Sequence, residues 1–351
     1  LIQKRKIKVN DLKLIVQIPC FNEEENLVAT VRDIPRLMPG VDTVEVMIID
    51  DGSSDRTIDV ARKIGVEHII EHTGNKGLAR TFRTGIDAAL KLGADIIVNT
   101  DGDNQYSGAD IPKLIAPIVS KEAEIVVGDR GGLKNQHFSY FKRQLQVFGS
   151  SVIRGITKLD VTDAVSGFRA ISRDAAKQIN IVTDFSYTIE MLIQASAKRL
   201  KVVSVPIGTN AKTRDSRLFK SIPQFLRMSG ATLLRAYAMY KPLRLFFIVG
   251  MVIMIMGLIP IGRFLYFYLN GDGLGHIQSI VLGATLVILG TGSMLIGMLA
   301  DLINFNRKLM EIALVKITNI ELQLEQTKKP VSKVDRKKIE QELQELKIVN
   351  K

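Results

Sequence analysis

The chain has 351 residues, with 48 Lys plus Arg against 36 Asp plus Glu, a formal net charge of +12 and 46% hydrophobic residues. That length supports one large domain or two smaller ones, each with its own core. A single cysteine, Cys20, excludes an intrachain disulfide framework and a cysteine-based zinc site, and no repeat period or long biased tract points to a solenoid or to disorder.

Residues 1–12 are charged, and the apolar run after them is too short for the h-region of a secretory signal, so none is expected. Short apolar runs then alternate with helical stretches. LKLIVQIP, VEVMIID, ADIIVNTD and AEIVVGD read as strands, and residues 24–37, 54–64 and 76–92 read as helices. This alternation predicts an α/β domain with a mostly parallel sheet and helices on both faces. Ligands of such sheets bind beyond the carboxyl ends of the strands. Asp50, Asp51, Asp101, Asp103 and Asp129 are therefore predicted to gather at one rim. Neither GxGxxG after the first strand nor GxxxxGK[ST] occurs, which argues against a dinucleotide dehydrogenase and a P-loop NTPase. His68 and His72 lie on VEHIIEH, a predicted strand that separates them by about 13 Å, so they make no metal pair.

Three further patterns bear on chemistry. Asp101 and Asp103 form a DxD at a strand end, with the Gln105 oxygen two residues on; Mg²⁺ commonly takes one or two carboxylates plus substrate phosphates. The plain alternative is a loop acid capping the next helix. Carboxylates in IIDDGSSDRT (48–57) can accept hydrogen bonds from a base or a ribose. HTGNKGLARTFRTG (72–85) supplies a glycine turn and Lys76 for phosphate charge.

The basicity is concentrated in residues 198–244, which hold eleven Lys or Arg and one acid, Asp215. Within it, residues 216–240 read as an amphipathic helix. Leu218, Phe219, Ile222, Phe225 and Leu226 share a face, and Arg217, Lys220 and Arg227 lie elsewhere on the wheel. Beside a membrane span such a helix is expected in the interface; an ordinary surface helix is the alternative. LFFIVGMVIMIMGLIPIG (245–262) and Ile277–Ala300 carry no charge, and a bilayer core needs about 20 apolar residues. Arg263 follows the first run and is expected to snorkel. The linker NGDGLGH has no Lys or Arg, whereas Lys241 and Arg244 precede the pair and Arg307 and Lys308 follow it. The positive-inside rule then places both ends in the cytoplasm. Two buried core helices of a soluble protein are the alternative. The tail, 306–351, reads as two helical pieces broken at Pro330, with Ser332 and Asp335 capping the second. Met310, Ala313, Ile317, Ile320 and Leu324 form a short heptad stripe. Self-association, through the tail or the membrane helices, and packing on the catalytic domain both remain open.

PCFNEEENL (19–27), the IIDDGSSDRT and HTGNKG motifs, DGDNQ (101–105), VVGDR (126–130) and DAVSGFR (163–169) occur in this order. Over about residues 13–220 the chain resembles the inverting GT-A glycosyltransferases. More closely, it is similar to the dolichol-phosphate mannose synthase and bacterial polyprenyl-phosphate glucosyltransferase group. The resemblance implies a Rossmann-like GT-A domain over 1–212. Amphipathic interfacial helices are expected over 213–242, two transmembrane helices over 243–304 and a cytosolic helical tail over 305–351. The expected location is the cytoplasmic (inner) membrane, with the catalytic domain and both termini cytosolic.

By the same resemblance Pro19, Phe21, Glu23, Asp50 and Asp51 hold the nucleoside, and Lys76 lies near the diphosphate. Asp101, Asp103 and Gln105 bind Mg²⁺ or Mn²⁺. The family usually has Ala between the two acids; Gly102 keeps the ligands and is expected to loosen the loop. VVGDR matches the family's VGSR, and DAVSGFR its D-x-x-S-G-F. Arg130 and Arg143 are expected on the acceptor phosphate, joined by a basic patch at Arg214, Arg217 and Lys220. Asp163 is a candidate to contact the sugar or orient the acceptor. The implied reaction moves a hexose from a UDP- or GDP-sugar to a polyprenyl phosphate with inversion. A processive polysaccharide synthase is the nearest rival, but the chain has no tryptophan for its usual QxxRW motif and only two spans. A membrane-anchored, non-catalytic nucleotide-binding scaffold is the other. No nucleic-acid partner is expected, since no aromatic-interleaved platform accompanies the basic stretch.

Overall fold

The computed structural model describes residues 12–131, 150–151, 153–181, 187–210, 237–238, 241–271 and 274–328. Apolar, β-branched runs make its central strands. β1 (Lys13–Cys20) and β2 (Thr43–Asp50) pair in parallel from Lys13↔Thr43 to Cys20↔Asp50. β3 (His68–Glu71), β4 (Ile96–Asn99), β5 (Ile125–Asp129), β6 (Arg169–Ser172) and β7 (Val202–Pro206) complete one seven-stranded sheet, in the order β3-β2-β1-β4-β6-β5-β7. β6 runs antiparallel to β4 and β5, and every other pairing is parallel. The carboxyl ends of β1, β2, β4 and β5 therefore share one edge, and the rim acids meet there as the strand pattern predicts. Leu14, Ile15, Val16, Ile18 and Val46 through Ile49 are fully buried, as befits a sheet covered on both faces.

The covering helices are α1 (Leu27–Arg32), α2 (Thr57–Lys63), α3 (Leu78–Lys91), α4 (Ile111–Val119), α5 (Arg173–Gln178) and α6 (Tyr187–Ala197). α3 turns Ala79, Phe82, Ile86, Ala89 and Leu90, one helical stripe, into the core. α1 is shorter than the predicted 24–37. Pro35 bars its continuation, because a residue before proline is pushed out of the helical region.

Two apolar helices follow, α7 (Pro242–Leu269) and α8 (Ile277–Lys328), each long and apolar enough to cross a membrane. They pack antiparallel along a seam of glycines spaced by seven. A Cβ on Gly250 would come within 2.6 Å of the Gly290 carbonyl, and one on Gly290 equally close to the Gly250 carbonyl. Gly257 and Gly283 face each other in the same way, and Gly297 lies against Phe246. The Ser293 hydroxyl donates to the Phe246 carbonyl (3.2 Å). Small residues that let backbones approach are the usual means of joining helices in lipid. The outward faces are bare: Ile248, Ile255, Ile259, Ile288 and Leu295 are all exposed. That pattern contradicts the alternative of two soluble-core helices.

The chain divides into two compact units at Glu311/Ile312. In the second, residues 312–328 are helical, and Ile317, Ile320 and Leu324 of the heptad stripe are exposed. The amphipathic stretch 216–240, apart from 237–238, and the predicted break and cap at Pro330, Ser332 and Asp335 lie outside the described residues.

Candidate active site

On one half of the rim the loops after β1 and β2 are latched together. Asn22, at φ +56°, donates its N–H to Ser53 Oγ (2.9 Å), and its Oδ1 accepts the Ser54 N–H (2.8 Å). The Glu23 N–H donates to Thr57 Oγ1 (2.9 Å). Asp50 is fully buried and accepts from the N–H groups of Gly52 (3.1 Å) and Ser53 (2.9 Å) and from the Ser53 hydroxyl. Aspartate commonly closes a turn in this manner. Asp51, also buried, accepts from Lys76 N–H (2.8 Å) and Gly77 N–H (2.9 Å). It also pairs with His72 Nδ1 (2.9 Å), whose Nε2 meets Thr84 Oγ1 (3.1 Å). Gly52, at φ +74°, rests on the glycine turn, where a Cβ would come within 2.6 Å of the Gly74 backbone. Asp50 and Asp51 thus set the shape of two interlocked loops, while the side chains of Phe21 and Lys76 are exposed on them.

On the other half, Asp101 and Asp103 stand half-buried beyond β4. Asp103 Oδ1 accepts the Gln105 N–H (3.1 Å). Gly102 between them is buried, its carbonyl held by the Thr30 hydroxyl (3.1 Å). A Cβ there would lie 3.2 Å from both Cys20 Sγ and Glu23 Cγ, behind the Pro19 carbonyl. The loop is therefore held rather than loosened by Gly102, which corrects the expectation. Asp101 lies flush against Gly167: a Cβ on that glycine would come within 3.1 Å of Asp101 Oδ1 and 2.9 Å of the Tyr187 hydroxyl. Asn99 Nδ2 donates to the Gly167 carbonyl (2.9 Å) and the Tyr187 hydroxyl (3.1 Å). The Gly167 N–H donates to the Tyr106 hydroxyl (3.0 Å), and Tyr106 stacks on Phe168. Burial pushes the Tyr106 phenol up to about 12, and burial followed by the Asp101 charge raises Tyr187 well above its ordinary value. Both phenols stay neutral beside the acids.

Arg130 grips Asp163 as a fork, Nε to Oδ2 (2.6 Å) and Nη2 to Oδ1 (2.9 Å), with its guanidinium 6.0 Å from the Tyr106 ring centroid. Asp163 is fully buried, and Arg130 keeps 11% of its side-chain surface. Both oxygens of the Asp163 carboxylate are engaged by Arg130. Arg130 is first of all its partner. Arg169, the last residue of DAVSGFR, is fully buried. It donates to the carbonyls of Ser166 (2.9 Å), Ala164 (2.8 Å) and Thr188 (2.7 Å), and burial pushes its pKa down to about 10. It remains a cation at neutral pH and pins the loop that carries Asp163 and Gly167. Asp129, the remaining rim acid, accepts from the Thr162 hydroxyl (2.8 Å) and Gly131 N–H (2.9 Å). Arg143, Arg214, Arg217 and Lys220 lie outside the described residues.

Around Asp101, Asp103, Arg130 and Asp163 the structure adds Asn99, Tyr106, Gly167, Arg169 and Tyr187. No cluster of three or more His, Cys, Asp or Glu able to hold a metal occurs among the described residues. Two neighbouring half-buried carboxylates suit an Mg²⁺- or Mn²⁺-type ion that completes its coordination with substrate oxygens. The Gln105 backbone is committed at both ends, its N–H to Asp103 and its carbonyl to the Asn210 N–H (2.9 Å).

Residues 15–180, from β1 through α5, match the family described as Glycosyl transferase family 2. The chain is 31% identical over 223 residues to the UDP-N-acetylglucosamine–dolichyl-phosphate N-acetylglucosaminyltransferase of Methanococcus voltae, covering 57% of this chain and 86% of that one. It is 26% identical over 206 residues to the undecaprenyl-phosphate mannosyltransferase of Micrococcus luteus, covering 56% and 83%. Among solved structures, glucosyl-3-phosphoglycerate synthase from Mycobacterium tuberculosis, in complex with Mn²⁺, uridine-diphosphate-glucose and phosphoglyceric acid, superposes with a TM-score of 0.51. That match is 23% identical and covers 64% of this chain and 79% of the other. With residues 15–180 matching that family and a 31% identical relative covered over 86% of its length, the chain belongs to glycosyl transferase family 2 and is a glycosyltransferase of the GT-A fold.

Proposed function

We propose that the enzyme transfers a sugar from a nucleotide diphosphate to a polyprenyl phosphate, with inversion at the anomeric carbon, on the cytosolic face of the cytoplasmic membrane. The observation that carries this reading is the meeting of the Asp101–Asp103 loop with the Arg130–Asp163 fork through Gly167, in a chain that continues into two lipid-suited helices. The relatives named for dolichyl and undecaprenyl phosphate support the acceptor class. The Mn²⁺ and uridine-diphosphate-glucose of the M. tuberculosis structure support a metal-assisted donor, with a uridine nucleotide preferred.

In this mechanism a phosphate oxygen of the acceptor attacks the anomeric carbon from the face opposite the leaving group. The bond from that carbon to the nucleoside diphosphate breaks, and the diphosphate leaves with the bonding pair. The acceptor needs little activation, because a phosphate monoester with a second pKa of about 6 is already anionic at neutral pH. The work of the protein is to hold two anions together. Asp101, Asp103 and Gln105 would hold Mg²⁺ or Mn²⁺, which supplies charge stabilisation to the departing diphosphate. Lys76 adds charge on the donor side, and Pro19, Phe21 and Glu23 line the nucleoside end beside the loops shaped by Asp50 and Asp51. Arg130, held by Asp163, forms the opposite wall. Arg143 and the basic patch at Arg214, Arg217 and Lys220 receive the acceptor phosphate.

The test is a panel of radiolabelled UDP- and GDP-sugars with purified protein, polyprenyl phosphate and divalent metal. The expected product is one sugar on the lipid phosphate, with configuration opposite to the donor. Asp103→Ala should abolish metal-dependent transfer while the protein still folds and inserts. Full activity of that variant with metal chelated overturns the metal assignment, and a polymeric product points instead to a processive synthase.

A further inference from the structure

Among the described residues, two polar contacts join the catalytic part of the chain to the apolar helices. Lys198, just past α6, places Nζ 3.1 Å from Glu311 Oε2 on α8 and also donates to the Gln178 carbonyl. These side chains keep only 17% and 21% exposure, so this is not a solvated surface pair of the kind that contributes little. Glu311 Oε1 lies 3.7 Å from Arg307 Nε, and Arg307 Nη2 donates to Oδ1 of the buried Asn304 (3.1 Å). The acid is thus oriented from its own helix. The second contact is at the foot of α7, where Lys241 donates from Nζ to the Ile156 carbonyl (2.9 Å). The Ser196 hydroxyl donates to the Thr157 carbonyl (2.6 Å) and so ties α6 to the helical residues 153–157. Both contacts therefore belong to one face of the catalytic part.

Their heights differ. Lys241 abuts the start of α7, whereas Glu311 lies about 16 Å along α8 past Ala300, the last residue of the uncharged run. A body held at one point swivels; one held at two such separated points has a defined tilt. We propose that Lys198, Glu311 and Lys241 are positioning residues that set the tilt of the rim toward the bilayer, a role that rests on the membrane acceptor of the proposed function.

The test uses the full chain in phosphatidylethanolamine–phosphatidylglycerol vesicles containing undecaprenyl phosphate. A parallel reaction uses citronellyl phosphate, a short water-soluble acceptor, and both use the donor that the wild-type protein turns over. Lys198→Glu and Glu311→Lys should each lower transfer in vesicles about tenfold or more, through KM for the lipid. The rate on the soluble acceptor should stay unchanged, and the combined K198E/E311K variant should recover. In a separate background, Phe21→Trp places a lone tryptophan on the rim of a chain that has none. Its quenching by headgroup spin labels should shift in each single reversal and return in the swap. Equal losses on both acceptors, no loss, a swap as impaired as the single variants, or constant quenching each overturn the proposal. If the wild-type protein glycosylates neither phosphate, the functional reading fails, and the quenching result alone decides the tilt.

Discussion

Gly167 controls the geometry of the acid pair more directly than its missing side chain suggests. Its backbone is fixed by Asn99 on one side and Tyr106 on the other, and Asp101 lies in the space that a methyl group would fill. Gly167→Ala should displace Asp101, lowering kcat on the order of 10²-fold and raising the metal concentration for half-maximal rate. A metal titration of the variant checks this, and an unchanged midpoint speaks against the contact. The Arg130–Asp163 fork makes a different prediction. Asp163→Ala removes both bonds of the fork from a largely buried guanidinium, and the expected loss is about 3 kcal/mol of stability, seen as earlier thermal unfolding. The DxD is legible in sequence because its two acids are neighbours at a strand end. The fork is legible only as two motifs, since its members are 33 residues apart and meet through the β4–β6–β5 pairing. Nothing local marks Tyr187, whose contact with Asn99 spans 88 residues.

Among the elements, the strands that sequence shows plainly are those with uninterrupted apolar runs. β4 and β5 fall within their predicted stretches, and β1 and β2 each reach one residue beyond theirs, at Cys20 and Thr43. β6 does not stand out, because RAIS is four residues long and opens with the buried cation Arg169. β7 is obscured for the opposite reason: VVSVP is only partly buried at the edge of the sheet. The apolar helices are legible by length and charge, but their pairing depends on glycines whose heptad spacing acquires meaning only when the partner helix is in place. Gly290→Leu should force α7 and α8 apart at a cost of about 1–3 kcal/mol. Gly292→Leu, two residues on and with open space around it, should be tolerated. Thermal stability of the two variants in the same detergent separates seam packing from general hydrophobicity.

At the scale of the whole molecule, acid sensitivity follows from carboxylates held in their charged form. Partial burial pushes Glu45 up, but hydrogen bonds from Lys13 and His68 outweigh it and hold its pKa below the ordinary 4.5. At Asp55 burial is likewise outweighed, by the Thr57 hydroxyl and backbone N–H donors, and the pKa falls below 3.8. Because both folded values are lowered, the stabilisation is complete above those ordinary values and is lost as the pH falls through the folded ones. Unfolding midpoints should stay level from neutral pH down to the mid-fours and then drop, and Glu45→Gln should flatten that fall. The two-point attachment through Lys198 and Lys241 has a kinetic consequence of its own. On the proposed function, an enzyme kept at a set angle on its bilayer would meet its lipid acceptor by lateral diffusion in a film, so its turnover would follow the mole fraction of that lipid among its neighbours. Diluting the vesicles with buffer should leave the rate per enzyme untouched, while diluting the acceptor with inert phospholipid should depress it.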